Sequence, residues 1–300
     1  MTIVKYRKIF FGLSIILVIL SLCAVFVYGF NFSIDFKGGS ITEVSYPEQL
    51  IVEARKIREG IETLGFGGFS VRSGVGNHFI IRTKELNTEE AQQLNQVLSS
   101  VDKNYLIERQ NTVGPLAGAE LKSKAVKAVS VVMLMIVLFI TFAFRKVSKP
   151  VSSWKYGLAT IIALVHDVIV PTGIFVLLGH LLGIEIDLLF VSGLLAILGY
   201  SVHDTIVVFD RVRENLRVNQ EKHKVEDFEE TVGHSVSQTM ARSINTSLTL
   251  LITLIFLYFI GSTATRDFSL LLIIGVVAGT YSSIFLASPL LVTFYKLQGK

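Results

Sequence analysis

Gly199-Tyr-Ser-Val-His-Asp-Thr-Ile-Val-Val-Phe-Asp-Arg-Val-Arg-Glu-Asn215 places a histidine and a carboxylate, His203 and Asp204, inside an otherwise apolar run and then turns charged from Asp210 onward. Hydrocarbon makes ionisable side chains expensive, so a carboxylate there marks a functional position by default. Residues 188–198, just before it, are apolar. The run therefore passes from lipid to water, with Asp204 on the lipid side of the border. At about 1.5 Å per helical residue, Asp204 lies roughly 9 Å inside Asp210.

Working outward from that stretch, windows of about 20 apolar residues, the length that spans a bilayer core, occur at 9–28, 126–144, 156–178, 188–209, 244–260 and 268–295. Together with 51% hydrophobic and 17% charged residues, they exclude a soluble or disordered chain. The fold class read from this pattern is an α-helical membrane protein with six transmembrane helices. A small α+β ferredoxin-like extracytoplasmic domain is expected between the first and second. The domain plan is 1–30 for the N-terminus and first helix, 31–124 for the outer domain, and 125–300 for a five-helix membrane domain with a loop at 211–241. The last span is long enough to tilt or break, and Pro171 and Pro289 predict kinks.

Lys5, Arg7 and Lys8 precede the first span, Arg145, Lys146, Lys149 and Lys155 separate the second from the third, and the 211–241 loop is rich in Arg and Lys. The short loops on the other side carry only Arg266. The bias predicts both termini in the cytoplasm, and it accounts for the net charge of +4 without a nucleic-acid partner. The first span is longer than the core of a cleaved signal, and no small-x-small site follows Tyr28. The single cysteine, Cys23, excludes a disulfide framework and reads as a packing residue.

Residues 31–124 follow the order strand, helix, strand, strand, helix, strand. Residues 40–46 are extended. Ser45 with Glu48 forms a capping-box pattern ahead of Leu50, Ala54, Ile57, Ile61 and Leu64, with Gly65 as the helix stop. Residues 69–73 and 78–83 flank a hairpin signal at 74–77. Asn87 with Glu90 caps a helix carrying Ala91, Leu94, Leu98 and Val101, and 105–111 closes the sheet. At about 80 residues such a domain is marginal alone. His78 has no metal-ligand spacing around it and reads as a surface or strand residue. Gly38, Gly39 and Gly114, at the points where the chain leaves and re-enters the membrane, read either as loop punctuation or as a hinge.

Within the spans the ionisable residues are His166 and Asp167, with Asp167 roughly 16 Å in from Tyr156, and His203 and Asp204. Either histidine reads as a structural hydrogen-bonding residue or as an accessory to proton transfer. Arg242, at the head of the fifth span, reads as a head-group anchor or as a side chain that reaches Asp204 and tunes its proton affinity. Gly275 and Gly279 form a GxxxG spacing, compatible with packing inside the bundle or with a subunit interface. The 211–241 loop, with Val225, Phe228, Val232 and Val236 at helical spacing, predicts a helix on the membrane surface. No phosphate cradle is present, so nucleotide hydrolysis is not expected; no metal or cofactor is expected either, since no Cys or His pair stands at ligand spacing in the outer domain.

The chain resembles the SecD/SecF family of bacterial export membrane proteins over nearly its whole length. The resemblance is carried by Phe30-Asn-Phe-Ser-Ile-Asp-Phe-Lys-Gly-Gly39, Val113-Gly-Pro115 with Glu120-Leu121, Val165-His-Asp-Val168, Glu185-Ile-Asp187, the opening stretch 199–215 and Gln238-Thr-Met-Ala-Arg-Ser243. It implies a non-enzymatic subunit, related to resistance-nodulation-division transporters, that acts with SecD to couple proton motive force to preprotein export. Asp204 matches the family's proton-carrying carboxylate and Arg242 its facing arginine. The expected partners are SecD, the SecYEG channel, YajC and YidC, and the translocating preprotein, at the plasma membrane. Two other readings are a structural assembly factor without ion coupling, and an intramembrane aspartyl protease using Asp167 with Asp204. The second needs carboxylates about 3 Å apart, which the two depths oppose.

Overall fold

A computed structural model describes residues 2–47, 52–74, 76–145, 151–224, 226–261 and 263–298. In chain order its elements are α1 (Thr2–Lys5), α2 (Arg7–Tyr28), α3 (Ile34–Lys37), β1 (Gly39–Ser45), α4 (Ala54–Glu62), β2 (Ser70–Ser73), β3 (His78–Thr83), α5 (Thr88–Val101), β4 (Leu106–Val113), α6 (Pro115–Ala143), α7 (Ser153–Leu182), α8 (Leu188–Glu221), α9 (Phe228–Ile260), α10 (Thr263–Tyr281), a π-helical turn (Ser282–Ala287) and α11 (Ser288–Gln298). Two compact units result. One comprises Met1–Asn31, Lys127–Ile184 and Leu189–Lys300, and the other Phe32–Val126 with Glu185–Leu188.

The first unit is a helical bundle. Six helical runs among the described residues are long and apolar enough to cross a membrane: α2, α6, α7, α8, α9 and the run Thr265–Leu297. The protein is a multi-pass membrane protein. Half of the apolar window is buried in α7 and α8 and 56% in the sixth run, against 11% in α2, 6% in α6 and 17% in α9. The first three helices therefore form the bundle's interior, and the other three turn most of their apolar surface outward. Cys23 lies on that outward surface of α2, which corrects its reading as a packing residue.

At one end of the bundle an aromatic cluster closes the core. Phe144 stacks on Tyr156 at 5.2 Å between ring centroids, and Phe209 meets both rings edge-on, the arrangement that the ring quadrupole favours. Next to it the expected surface helix at 211–241 is absent. Instead α8 continues unbroken to Glu221, the chain turns, with His223 at φ 51°, and α9 begins at Phe228. Phe228, Val232 and Val236 are buried with Val4, Val212 and Leu291 in one core. The apolar stripe was read correctly but faces neighbouring helices, which offer it as much burial as a membrane surface would. Asn215 Nδ2 donates to Ser235 Oγ at 2.8 Å and to Gln238 Oε1 at 3.0 Å, tying the two helices together. Val225 falls outside the described residues.

The sixth span breaks its α-helical pattern at the π turn just ahead of Pro289. Proline has no N–H to donate to the carbonyl four residues back, so the ladder must shift. Ser288 helps by donating its hydroxyl to the Ser283 carbonyl at 3.0 Å. Pro171 sits inside α7; its missing N–H frees the carbonyl of Asp167.

The second unit is the ferredoxin-like domain, an antiparallel sheet in the order β2-β3-β1-β4 with α4 and α5. Ile57, Ile61, Leu94 and Leu98 meet Val44, Phe79 and Ile81 in its core. The start of α5 follows the sequence reading, with Asn87 and Glu90 exchanging both capping-box hydrogen bonds. The start of α4 does not. Ser45 belongs to β1, paired with His78 and Leu106, and the N-cap is Glu53; Glu48 and Leu50 lie outside the described residues. The helix stops at Thr63, and Gly65 follows at φ +65°. His78, at the sheet surface, sits 3.2 Å from Glu108.

Candidate polar site between the membrane helices

On α8 the residues Ser201, Asp204, Thr205 and Val208 share one buried face, as a helical repeat of 3.6 requires. Thr239, Ser243 and Ser247, four residues apart, do the same on α9. Ser243 Oγ donates to Asp204 Oδ1 at 2.5 Å. The other carboxylate oxygen, Oδ2, is buried and has no hydrogen-bond partner among the described residues. Ser247 extends the cluster, bonded to Tyr200 OH at 2.6 Å, to Thr280 Oγ1 at 2.7 Å and to the Ser243 carbonyl.

Asp167 on α7 is fully buried and much better served. It lies 2.8 Å from His166 Nδ1 and accepts from Ser282 Oγ at 2.6 Å and from Ser201 Oγ. The π turn supplies two consecutive hydroxyls to this region. Ser282 reaches Asp167, while Ser283 lies 3.0 Å from Thr205 Oγ1 and donates to the Ser201 carbonyl at 3.3 Å. No hydrogen bond joins the two carboxylates; each is held by different serines. That arrangement lacks the shared proton an aspartyl protease requires.

A hydrogen bond to a charged group contributes about 1.5–3 kcal/mol net, whereas burying an unserved charged oxygen costs more than that. Three polar side chains, His166, Ser201 and Ser282, surround the Asp167 carboxylate. Asp204 is held at Oδ1 by Ser243, and its Oδ2 is buried without a geometric hydrogen bond among the described residues.

The expected pairing of Asp204 with Arg242 is not formed in this structure. Arg242 precedes Ser243 by one position, about 100° around the helix, and its side chain is exposed. His203 is exposed as well, on the α8 face opposite the buried one. His166, by contrast, is buried against Asp167. The serine donors were the part missed by sequence reasoning, although Ser243, Ser282 and Ser283 fell within stretches singled out for other reasons. A polar stripe every fourth residue through an apolar span, as in Thr239, Ser243 and Ser247, was the available signal.

In the second unit Ser33 caps α3 through Asp35 N, and the chain then turns through Gly38 at φ +78° and Gly39 at φ +135°. A Cβ on Gly38 would lie 2.8 Å from the Pro115 backbone, and one on Gly39 would lie 2.6 Å from the Thr83 carbonyl, so these two glycines are sites of close backbone approach. Gly114 has ordinary space around it. Glu185 Oε2 lies 2.7 Å from Arg82 Nε, both largely buried. Burial pushes the Glu185 carboxyl up, against the opposing pull of Arg82, Lys37 and Arg72.

The family model for the C-terminal region of the protein export membrane proteins SecD/SecF matches residues 93–297, and that for the SecD/SecF GG motif matches residues 24–46. Protein translocase subunit SecF of Thermobaculum terrenum is 40% identical, covering 97% of this chain and 93% of its own. Protein translocase subunit SecDF of Thermus thermophilus is 34% identical over 94% of this chain, which spans 37% of that longer protein. The crystal structure of SecDF from Thermus thermophilus, described as a translocon-associated membrane protein, superposes with a TM-score of 0.83 at 33% identity, covering all of this chain and 39% of that one.

Proposed function

The chain belongs to the SecD/SecF family of protein-export membrane proteins, and from that premise we propose that it couples proton motive force to the late stage of preprotein export, as an accessory subunit acting with SecD. The observation that carries this reading is Asp204, a buried carboxylate with one oxygen held by Ser243 and the other without a geometric hydrogen bond among the described residues. A proton entering at Oδ2 neutralises the group and removes the cost of its charge; losing it restores that cost. Helices that pack differently around the two forms convert the exchange into movement.

Partnership with SecD is supported by relatives in which both lie in one chain and by the outward face of α9. Gln238, Arg242, Asn245, Thr246, Thr249 and Thr253 are all exposed there, an unfavourable surface to give to lipid and a suitable one for another protein. Arg242 then serves as a counter-charge: a rotation of α9 by one residue carries it towards Asp204, and until then the partner covers it. The membrane segments lie in the plasma membrane with both termini cytoplasmic and residues 31–124 outside. There the turns at Gly38, Gly39 and Gly114 act as the hinge on which the outer domain moves against the preprotein leaving SecYEG, with YajC and YidC as further neighbours.

The test is Asp204→Asn, which keeps the shape and the acceptor for Ser243 but cannot exchange a proton. Assembly with SecD is expected to be normal, while proton-dependent stimulation of export in inverted vesicles is lost. Normal stimulation in an assembled Asp204→Asn complex would instead establish a structural assembly factor.

A further inference from the structure

His166 and Asp167 form a second ionisable centre, joined to α8 through Ser201. Ser201 Oγ and Ser282 Oγ donate to the Asp167 carboxylate, and the His166 ring lies against it with Nδ1 2.8 Å from Oδ1. With its ring hydrogen on Nδ1, the imidazole donates to Asp167 Oδ1. The other ring nitrogen, Nε2, is buried and has no hydrogen-bond partner among the described residues. In the neutral ring of that tautomer Nε2 is a bare lone pair.

We propose that this pair is a second proton-accepting site, distinct from Asp204, in which the proton is taken at His166 Nε2. The proposal rests on the proton-coupling reading for its purpose but not for its existence. The step is simple: the Nε2 lone pair binds a proton, the imidazole becomes imidazolium, and, with Asp167 ionised, the pair passes from a net charge of −1 to zero. In a medium where an isolated charge is costly, neutralisation is a strong reason to accept the proton. Because His166 and Asp167 are in direct contact, the proton belongs to the pair as a unit.

The groups packed around the site make it responsive to the rest of the bundle. From the sixth span Tyr281 faces His166, with ring centroids 6.0 Å apart, and its hydroxyl is engaged by the Phe10 carbonyl of α2 at 2.8 Å. From α8 comes Ser201, one helical turn before Asp204, and from the π turn Ser282. Among the described residues, Tyr281 is thus the titratable group that another element presents to the pair. Ser282 and Ser283 are consecutive, one bonded to Asp167 and the other to Thr205 beside Asp204. The turn that holds Asp167 thus also lines the Asp204 face.

The proposal is tested by nitrogen NMR of the full-length protein, labelled at its histidine rings and reconstituted in lipid with SecD. The pH is scanned over about 5 to 8, the range in which imidazoles ordinarily change charge. The His166 signals are assigned by their loss in His166→Gln. The expected result is a move of Nε2 to the imidazolium position as pH falls, retained in Asp204→Asn and abolished or displaced in Asp167→Asn. An Nε2 signal that stays neutral throughout, while the exposed histidines titrate, overturns the second site and leaves the Asp204 reading intact. If Nε2 titrates but Asp204→Asn exports normally, it is the coupling reading that fails. Loss of the Nε2 response in Asp204→Asn would also overturn the proposal, since the site would then not be separate. The wild-type titration decides the matter even if the Asp167 variant fails to fold.

Discussion

Arg242 and Ser243 show how one position around a helix separates two roles. Ser243 points into the bundle and serves Asp204; Arg242 points out, with no carboxylate beside it among the described residues. If Arg242 is a counter-charge that works when α9 turns or when the partner is docked, its guanidinium fork matters as well as its charge. Arg242→Ala is then expected to lose proton-stimulated export as fully as Asp204→Asn does, and Arg242→Lys to retain part of it. The measurement is export into vesicles with and without a proton gradient. Equal activity in wild type and both variants would assign Arg242 to head-group anchoring. The carboxylates of the site were legible in the sequence because charge is conspicuous in an apolar run. The serines that serve them were not, because a hydroxyl in a span satisfies itself on the carbonyl four residues back as readily as on a neighbour, as Ser247 does on Ser243. Only the packing of helices decides between those choices.

At the scale of elements, the GxxxG pair on α10 settles into the bundle's interior. A Cβ on Gly275 would collide with the side chain of Ile197, and one on Gly279 would press on Ser201 at 3.1 Å, so both glycines bring α10 close to α8. Gly199, on α8 itself, has nothing within 4 Å of its notional Cβ. Gly275→Ala is therefore expected to destabilise by about 1–3 kcal/mol through overpacking, while Gly199→Ala gains up to about 1 kcal/mol of helix propensity. Thermal unfolding of the two variants in detergent should move in opposite directions; a lower melting temperature for Gly199→Ala would place an unseen neighbour on that face. The helices and strands themselves were readable wherever local chemistry acts alone. The reciprocal Asn87–Glu90 cap is satisfied within one turn, and α5 begins where that pair says. Ser45 carried the same kind of pattern, but its backbone is committed to both β3 and β4, and the sheet outweighs a cap. The stripe of Phe228, Val232 and Val236 was likewise visible, but which apolar partner it meets depends on α8 running on past the charged residues at 210–214. Arg211–Glu214 and Arg213–Asp210 ion pairs, spaced three apart along the same helix, support that continuation and are small effects individually.

For the molecule as a whole, the distribution of positive charge is the physical argument for its orientation. Arg7 and Lys296, near the two ends of the chain, both pair with Glu229 at the start of α9, so three spans bring charged ends to the same side of the bundle. On the other side Arg266 is held by Tyr258, donating to its hydroxyl at 3.2 Å and lying over its ring at 4.7 Å. One arginine occupied in that way does not offset the Lys and Arg cluster opposite, and short-loop charge sets topology. The expected arrangement has the α8–α9 turn in the cytoplasm and the ferredoxin-like domain outside. The single native cysteine makes this directly measurable. In a Cys23→Ser background, Asn104→Cys, at an exposed position before β4, and Lys222→Cys, at an exposed position in the α8–α9 turn, are treated with a membrane-impermeant maleimide in intact cells whose outer barrier has been removed. Residue 104 is expected to react at once, and residue 222 only after the membrane is permeabilised. The reverse pattern would invert the topology and, with it, the direction of the proposed proton movement past Asp204. Reaction at both positions before permeabilisation would mean that the chain does not hold a single orientation, and a directional pull on the preprotein would then lose its physical basis.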